Sequence, residues 1–522
     1  MIHDPASIAG RTLTPRERTA VLVIGAGPAG LAAALEAARQ GAGVVLVDEN
    51  PVPAEVMEED IPLLFGGRMT GAVRNRAAML EAFIASDPAI AAAFDAGVDV
   101  RLGVAAWGLY INGPGVGWLP GPLAGLSDGA RSWMIGCERI IVATGRRDMG
   151  LAFPGWERRG VLGMTAALRL AARYGALDAR RAVVLGSTAE ALDGARRLHA
   201  LGVGIAAVIE TASAPLDDPG TLPLRTGCVV RRAEGDAEGV TALVIARRGE
   251  DGRPVPGTDL RIACDTVILG IGAVPMIDLL DAAGCRIAFS AALGGHVPVL
   301  DDAQRSSIPA IAVAGDCAGI GAAKSRDVTI AQAEGRRAAA GRAAPDGARA
   351  GPGHDIAGYR LDWVRATLLA ADDEDTHVCR CEEVTAREIL ELRPPRYLGW
   401  PDRGRNRRDL RSLLGAGPPN PDQVKRLTRA GMGVCQGRRC REQVACLLAL
   451  SAGCGLGEVP AATHRAPVRP LPLAVAAGAE EAAMAAHWDT WFGMKSQYLP
   501  YWEVPAHYTA AGRDAPDQGD GE

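Results

Sequence analysis

Lysine is almost missing from this chain. Of 522 residues only Lys324, Lys425 and Lys495 are lysines, and arginine supplies nearly all the positive charge. Acidic residues still outnumber basic ones, 61 to 56, for a net charge of -5. That balance gives no electrostatic case for nucleic acid or an anionic membrane surface as partner. Long apolar runs are absent too. No uncharged apolar stretch reaches the roughly 20 residues needed to cross a bilayer, so no transmembrane segment is expected. The first apolar run, Val21 to Leu35, is broken by Gly25, Gly27, Pro28 and Gly30. It reads as strand, turn and helix, not as a secretion signal, and the expected location is the cytoplasm. There is no C-x-x-C, which excludes the usual redox dithiol of disulfide reductases. There is no H-E-x-x-H, no glycine-flanked nucleophile elbow and no histidine cluster. The eight histidines are isolated, and no catalytic acid, base or nucleophile is named.

What is present is a large apolar fraction, 48%, over a length that suits about three domains. Glycine is abundant, 65 residues spread without a repeat. Eleven cysteines in a cytoplasmic chain are not expected to form disulfides. Seven are scattered and read as packing. Four are paired in the C-terminal third.

The run VLVIGAGPAGLAAALEAARQGAGVVLVDEN puts Gly25, Gly27 and Gly30 in G-x-G-x-x-G spacing between an apolar strand and an Ala/Leu-rich helix. The first glycine permits the sharp turn. The second lets backbone approach a pyrophosphate, and the third lets helix pack on strand. Pro28 and Ala29 open the helix, whose free N–H groups suit phosphates. The next strand ends in Asp48, 18 residues after Gly30, followed by Glu49. Asp48 is the preferred ribose-binding acid and Glu49 the second choice.

Two further segments, RIIVATGRRD with Ala143, Thr144 and Gly145, and IAVAGDCAGIGAA with Gly315 and Asp316, follow in order. Together with the first motif they resemble the glutathione-reductase-like flavoprotein superfamily over about residues 19 to 342. The resemblance implies an α/β fold of two dinucleotide-binding domains and FAD at the first site, with Asp316 near the ribityl and pyrophosphate region. The implied domains are 19–150 plus 265–342 for FAD and 151–264 for an NAD(P)-binding-like fold. A C-terminal domain spans 354–457 and a tail 458–522. The second turn, AVVLGSTAEALDGARRL, keeps Gly186 but has Thr188 and Ala191 at the other two places. A threonine branch crowds the pyrophosphate approach, so this fold is expected not to bind nicotinamide. The competing reading is an altered NAD site using Glu210. Gly66, Gly67 and Arg68 stand as a displaced equivalent of the family's flavin-ring segment.

Cys379 and Cys381 form C-x-C, Cys435 and Cys440 form C-x4-C, and 53 residues separate the pairs. Four thiolates in two short hairpin-like segments suit zinc or a [2Fe-2S] cluster, and spacing alone does not choose. The words CRCEEVT and KRLTRAGMGVCQGRRC resemble the bacterioferritin-associated-ferredoxin-like [2Fe-2S] domain, a small mainly α unit. It occurs in the FAD-containing subunits of hydrogen cyanide synthase, opine oxidases, hydroxyproline dehydrogenases and heterotetrameric sarcosine oxidase. Arg438 and Arg439, between two of the ligands, are either cluster-stabilising or solvated surface charge.

The resemblance implies an electron-transferring FAD and [2Fe-2S] subunit of a multi-subunit enzyme that oxidises an amine or imino acid. The candidates are an opine, D-hydroxyproline, a sarcosine-like amino acid or glycine. The implied partners are a D-amino-acid-oxidase-type flavoprotein subunit, where the substrate is oxidised, and a small ferredoxin-like subunit. A stand-alone NAD(P)H-dependent reductase is the alternative.

Overall fold

The fold comes from a computed structural model, in which residues 15, 17–52, 67–113, 119–342, 355–370, 375–399 and 409–477 are described. Gly66, the linker expected at 343–353 and the aromatic part of the tail lie outside them.

The glycine motif opens the first sheet. Strand β1 (Glu17–Ile24) feeds helix α1 (Pro28–Arg39), which returns to β2 (Val44–Asp48). β1 and β2 pair in parallel, Val21 against Val44 through Ile24 against Val47. Val21–Ile24 and Val44–Val47 are buried throughout, as parallel strands covered on both faces should be. The seven-stranded sheet runs Asp99–Leu102, β2, β1, Ser132–Val142, Leu123–Ser127, Ala105–Tyr110, and Ile311–Val313 also pairs with Ser132–Val142. On the opposite side α1 packs on the helix Val328–Ala340. The approach is close because a Cβ on Gly335 would lie 2.0 Å from the Ala29 carbonyl oxygen.

Helix α2 (Met164–Ala172) leads into the second fold, β3 (Arg181–Leu185), α3 (Ala189–Ala200) and β4 (Gly204–Ile209). Its parallel sheet runs Leu224–Arg225, β4, β3, Thr266–Leu269, Val161–Gly163. Thr266–Leu269 pairs with β3, so the boundary expected at 264 moves past Leu269. The buried TVIL strand belongs to the second sheet, not to the FAD domain.

The cysteine-bearing region is not an appendage. Helix α4 (Ile356–Val364) and helix α5 (Arg441–Ala452) share one apolar core with the second fold, which joins Val183, Leu185 and Ile209 to Trp363, Val378, Cys446 and Leu447. The tail expected from 458 also begins later. His464 and Val468 are 7% and 6% exposed, and the compact unit extends to Pro470. A second unit comprises Gly129–Ser132 and Leu471–Glu522; its described part includes the short helix Leu473–Ala477. Among the described residues no single helix is long and apolar enough to cross a membrane.

Candidate functional site

The first glycine turn is shaped by three steric conditions. Gly25 has φ +112°, and a Cβ there would stand 2.2 Å from the Ala143 carbonyl oxygen. A Cβ on Gly30 would stand 1.8 Å from the Gly25 carbonyl oxygen. Around Gly27, by contrast, nothing among the described residues lies within 4 Å of an added Cβ. Gly25 and Gly30 are therefore required by the protein itself, while Gly27 faces open space. Gly27 is also the residue before α1 and contributes no side-chain cap. The first N–H groups of the helix stay available to a phosphate.

This turn forms one wall of a cavity of about 350 Å³. Gly25, Gly27 and Pro28 line it with Asp48 and Glu49, and Ala143, Thr144, Gly145 and Asp316 close the other side. Ala29, Gly30 and Gly315 pack behind. Backbone bonds register the crossing: Ala143 N–H donates to Ile24 O (2.8 Å), Met276 N–H to Gly145 O (3.0 Å) and Ala314 N–H to Val142 O (3.0 Å). The Thr144 hydroxyl donates to Met276 O at 2.9 Å. Asp316 sits 3.4 Å from Arg146.

The two acids divide the work. Asp48 Oδ2 accepts from Ala26 N–H at 2.6 Å, and Oδ1 accepts from both the backbone and side-chain nitrogens of Asn50 at 2.8 Å. Asp48 thus holds the turn in shape. Glu49 pairs with Arg469 at 2.7 Å. Burial pushes the Glu49 carboxyl up, but Arg469, Arg438 and Arg169 outweigh it and hold it below the usual carboxylate value.

The second turn is filled by the chain itself. Thr188 is the residue before α3. Its hydroxyl oxygen accepts from Ala191 N–H at 3.2 Å and its O–H donates to Gly270 O at 3.3 Å. Ser187 and Glu210 are fully buried. Glu210 Oε2 accepts from Ser187 N–H (3.1 Å), the Ser187 hydroxyl (2.5 Å) and the Tyr359 hydroxyl (2.8 Å), and Oε1 from Ala212 N–H (3.0 Å). Tyr359 comes from α4 and stacks edge-on against the buried Trp363. The residue that could have held a ribose is capped by a phenol from 149 positions further along. The altered NAD site considered for Glu210 does not fit these contacts.

Arg68 reaches the second fold, donating to Asp265 O (2.9 Å) and Val240 O (3.1 Å). It is absent from the cavity wall, contrary to its expected place near a flavin ring.

The four paired cysteines meet. Cys379 ends the strand His377–Cys379 of a small hairpin with Val384–Thr385, and Cys381 lies in its turn. Cys435 and Cys440 occupy a turn rather than a hairpin, and Cys440 is the residue before α5. The Cys381 and Cys435 sulphurs are 3.4 Å apart, and Cys379 lies within hydrogen-bonding range of both Cys381 and Cys440. Gly431 N–H donates to Cys379 Sγ at 3.4 Å, and a Cβ on Gly433 would fall 2.8 Å from Cys381 Sγ. As thiols they crowd one another: the Cys379 thiol, and then burial, push Cys381 up to about 11. Among the described residues no three His, Cys, Asp or Glu side chains are set to hold a single metal ion. Cys446 is buried on α5, and Cys454 follows that helix half-exposed.

The sequence matches the pyridine nucleotide-disulphide oxidoreductase family over residues 19–335. This chain belongs to that family. It is an FAD-dependent oxidoreductase. Residues 405–479, which carry the second cysteine pair, match the sarcosine oxidase A3 domain. The chain is 29% identical to an opine oxidase subunit of Rhizobium meliloti over 88% of its own length and 87% of the relative's. It is 28% identical to the hydrogen cyanide synthase subunit HcnB of Pseudomonas aeruginosa over 87% and 97%. To the alpha subunit of sarcosine oxidase from Corynebacterium it is 29% identical over 54% of this chain and 29% of that one. The L-proline dehydrogenase of P. horikoshii has the same fold, with TM-score 0.57 at 20% identity over 88% of this chain and 80% of that chain. In this oxidoreductase the first cavity fits FAD: an uncapped helix start, an open Gly27 and Asp316 opposite them line one space.

The same cavity wall holds residues the sequence did not mark, Asn50, Arg169, Arg173 and Arg469, together with Arg438. Arg169 and Arg173 sit on and after α2 with no local signature. Arg438 and Arg439 had one, their place between two cysteines, and they are 5% and 9% exposed. The solvated-surface alternative for them is corrected.

Proposed function

We propose that this chain is the electron-transferring FAD and [2Fe-2S] subunit of a multi-subunit enzyme that oxidises an amine or imino acid. The substrate is an opine, D-hydroxyproline, a sarcosine-like amino acid or glycine, and it is oxidised on a separate flavoprotein subunit of the D-amino-acid-oxidase type. The observation that carries the reading is the meeting of Cys379, Cys381, Cys435 and Cys440 within the compact unit that also holds the nucleotide cavity. Four sulphur donors with no imidazole or carboxylate among them suit a [2Fe-2S] cluster. Gly431 N–H and the start of α5 at Cys440 favour negative charge there. When bound, FAD exchanges two electrons and a cluster one, so a chain holding both can divide an electron pair. Gly25, Gly27 and Pro28 would take the pyrophosphate, and Asp48 or Glu49, both on the cavity wall, would take the ribose. The Tyr359–Glu210 closure supports electron entry from a partner rather than from NAD(P)H.

The deciding test is iron, acid-labile sulphide and FAD per chain after anaerobic purification, with NADH then added. About two iron, two sulphide and one FAD per chain, with no bleaching of the flavin by NADH, are expected. Zinc in place of iron, or rapid bleaching by NADH, would sink the relay.

A further inference from the structure

Arg438 sits between Cys435 and Cys440, yet its side chain lines the nucleotide cavity. It is 5% exposed. One terminal nitrogen donates to the Val468 carbonyl, and Nε has no partner among the described residues. Two ion-paired groups share the wall, Glu49 with Arg469, and Arg146 with Glu190 and Asp316, while Arg169, Arg173 and Arg197 line it with Arg438 as further cations. No carboxylate lies within ion-pair distance of Arg438 among the described residues, and Arg469 beside it carries the same charge. A buried cation without a counter-charge is costly, and a guanidinium's planar donors match phosphate oxygens.

The loop that carries Arg438 is firmly seated. Gln443 accepts from Ala152 N–H at 2.7 Å and donates to Arg439 O at 2.9 Å. A Cβ on Gly150 would stand 2.5 Å from that same carbonyl oxygen. Arg441 reaches Asp278 at 3.2 Å, and Arg147 bridges Asp278 and Glu442 at 2.9 and 2.8 Å. Arg438 thus stands in a short segment, between the two cysteines, that is anchored to the rest of the compact unit on its C-terminal side.

We propose that Arg438 binds a phosphate of the dinucleotide in the first cavity, and that through it nucleotide occupancy and the order of the Cys435–Cys440 loop depend on each other. This rests on the function proposed above and adds to it a binding residue and a coupling. Coupling of this kind must be reciprocal.

The test uses the full-length chain, purified anaerobically, stripped of flavin and titrated with FAD and with ADP. Arg438→Gln should weaken both ligands about tenfold or more, and Arg438→Lys less. Iron release from the wild type to a chelator should slow several-fold when FAD is added, and Arg438→Gln should lose that protection. Unchanged FAD affinity in an iron-loaded Arg438→Gln with wild-type melting overturns the inference alone. Should that variant not fold, iron release from the wild type that ignores FAD overturns it equally. A chain with FAD but neither iron nor sulphide overturns the relay and the coupling together.

Discussion

Gly27 and Thr188 hold the same place in two copies of one strand-turn-helix plan, and their surroundings are opposite. At Gly27 the helix start has no side-chain cap, and among the described residues nothing lies within 4 Å of an added Cβ. At Thr188 the side chain caps its own helix, and the neighbouring Ser187 and Glu210 are satisfied by each other and by Tyr359. A dinucleotide turn binds because it leaves N–H groups and a carboxylate without protein partners. In the second turn Ser187, Glu210 and the Ala191 N–H have partners within the chain, and the turn packs against Tyr359 of the C-terminal region.

The comparison can be broken from either side. The largest effect is expected for Gly30→Val, whose Cβ would collide with the Gly25 carbonyl oxygen. The cost is about 3 kcal/mol or more, read as loss of bound FAD and of a cooperative melt. Glu210→Gln should cost about 2 kcal/mol, because a buried acid that accepts four hydrogen bonds becomes an amide that matches them poorly. Its melting temperature falls, while FAD per chain stays at the wild-type value. Loss of FAD in that variant would show that the second turn still serves a nucleotide. Gly27→Ala inverts the pattern: melting within about 0.5 kcal/mol of wild type, but FAD affinity weaker by about tenfold, or 1.4 kcal/mol. Equal affinity would mean that no phosphate approaches that backbone. Tyr359→Phe removes one hydrogen bond to Glu210, worth about 1 kcal/mol. NADH binding, followed by fluorescence, should be absent before and after. Tight NADH binding by the wild type would end the contrast altogether.

Different parts of the site were legible to different degrees. The first turn was readable because every condition on it is local: Gly25, Gly27 and Gly30 lie within six positions, and the acid follows at the end of the next strand. Thr188 already argued against a working second site, but what occupies that site was not readable, since Tyr359 is 149 residues from Glu210. Asp48 and Glu49 both reach the cavity wall, and spacing did not reveal that a carboxylate so near the turn is also drawn to the N–H of Ala26. The middle-domain boundary slipped because an apolar run such as TVIL does not say which of two parallel sheets it joins. Arg438 and Arg439 read equally well as surface charge, for burial of an arginine depends on what packs over it.

By itself, then, the sequence determined what depends on short spacing: a glycine turn of the dinucleotide-binding type, an order of motifs that marks a flavoprotein, and two close cysteine pairs. Tertiary structure alone decided which of the two turns stays open, that the cysteine region joins the core of the second fold, and that an arginine between two cysteines looks into the nucleotide cavity. The physical reason is distance along the chain. Hydrogen bonds and steric clashes within a turn are specified by neighbours, whereas the partner of a buried charge is chosen by whichever distant segment the packing of the core brings against it.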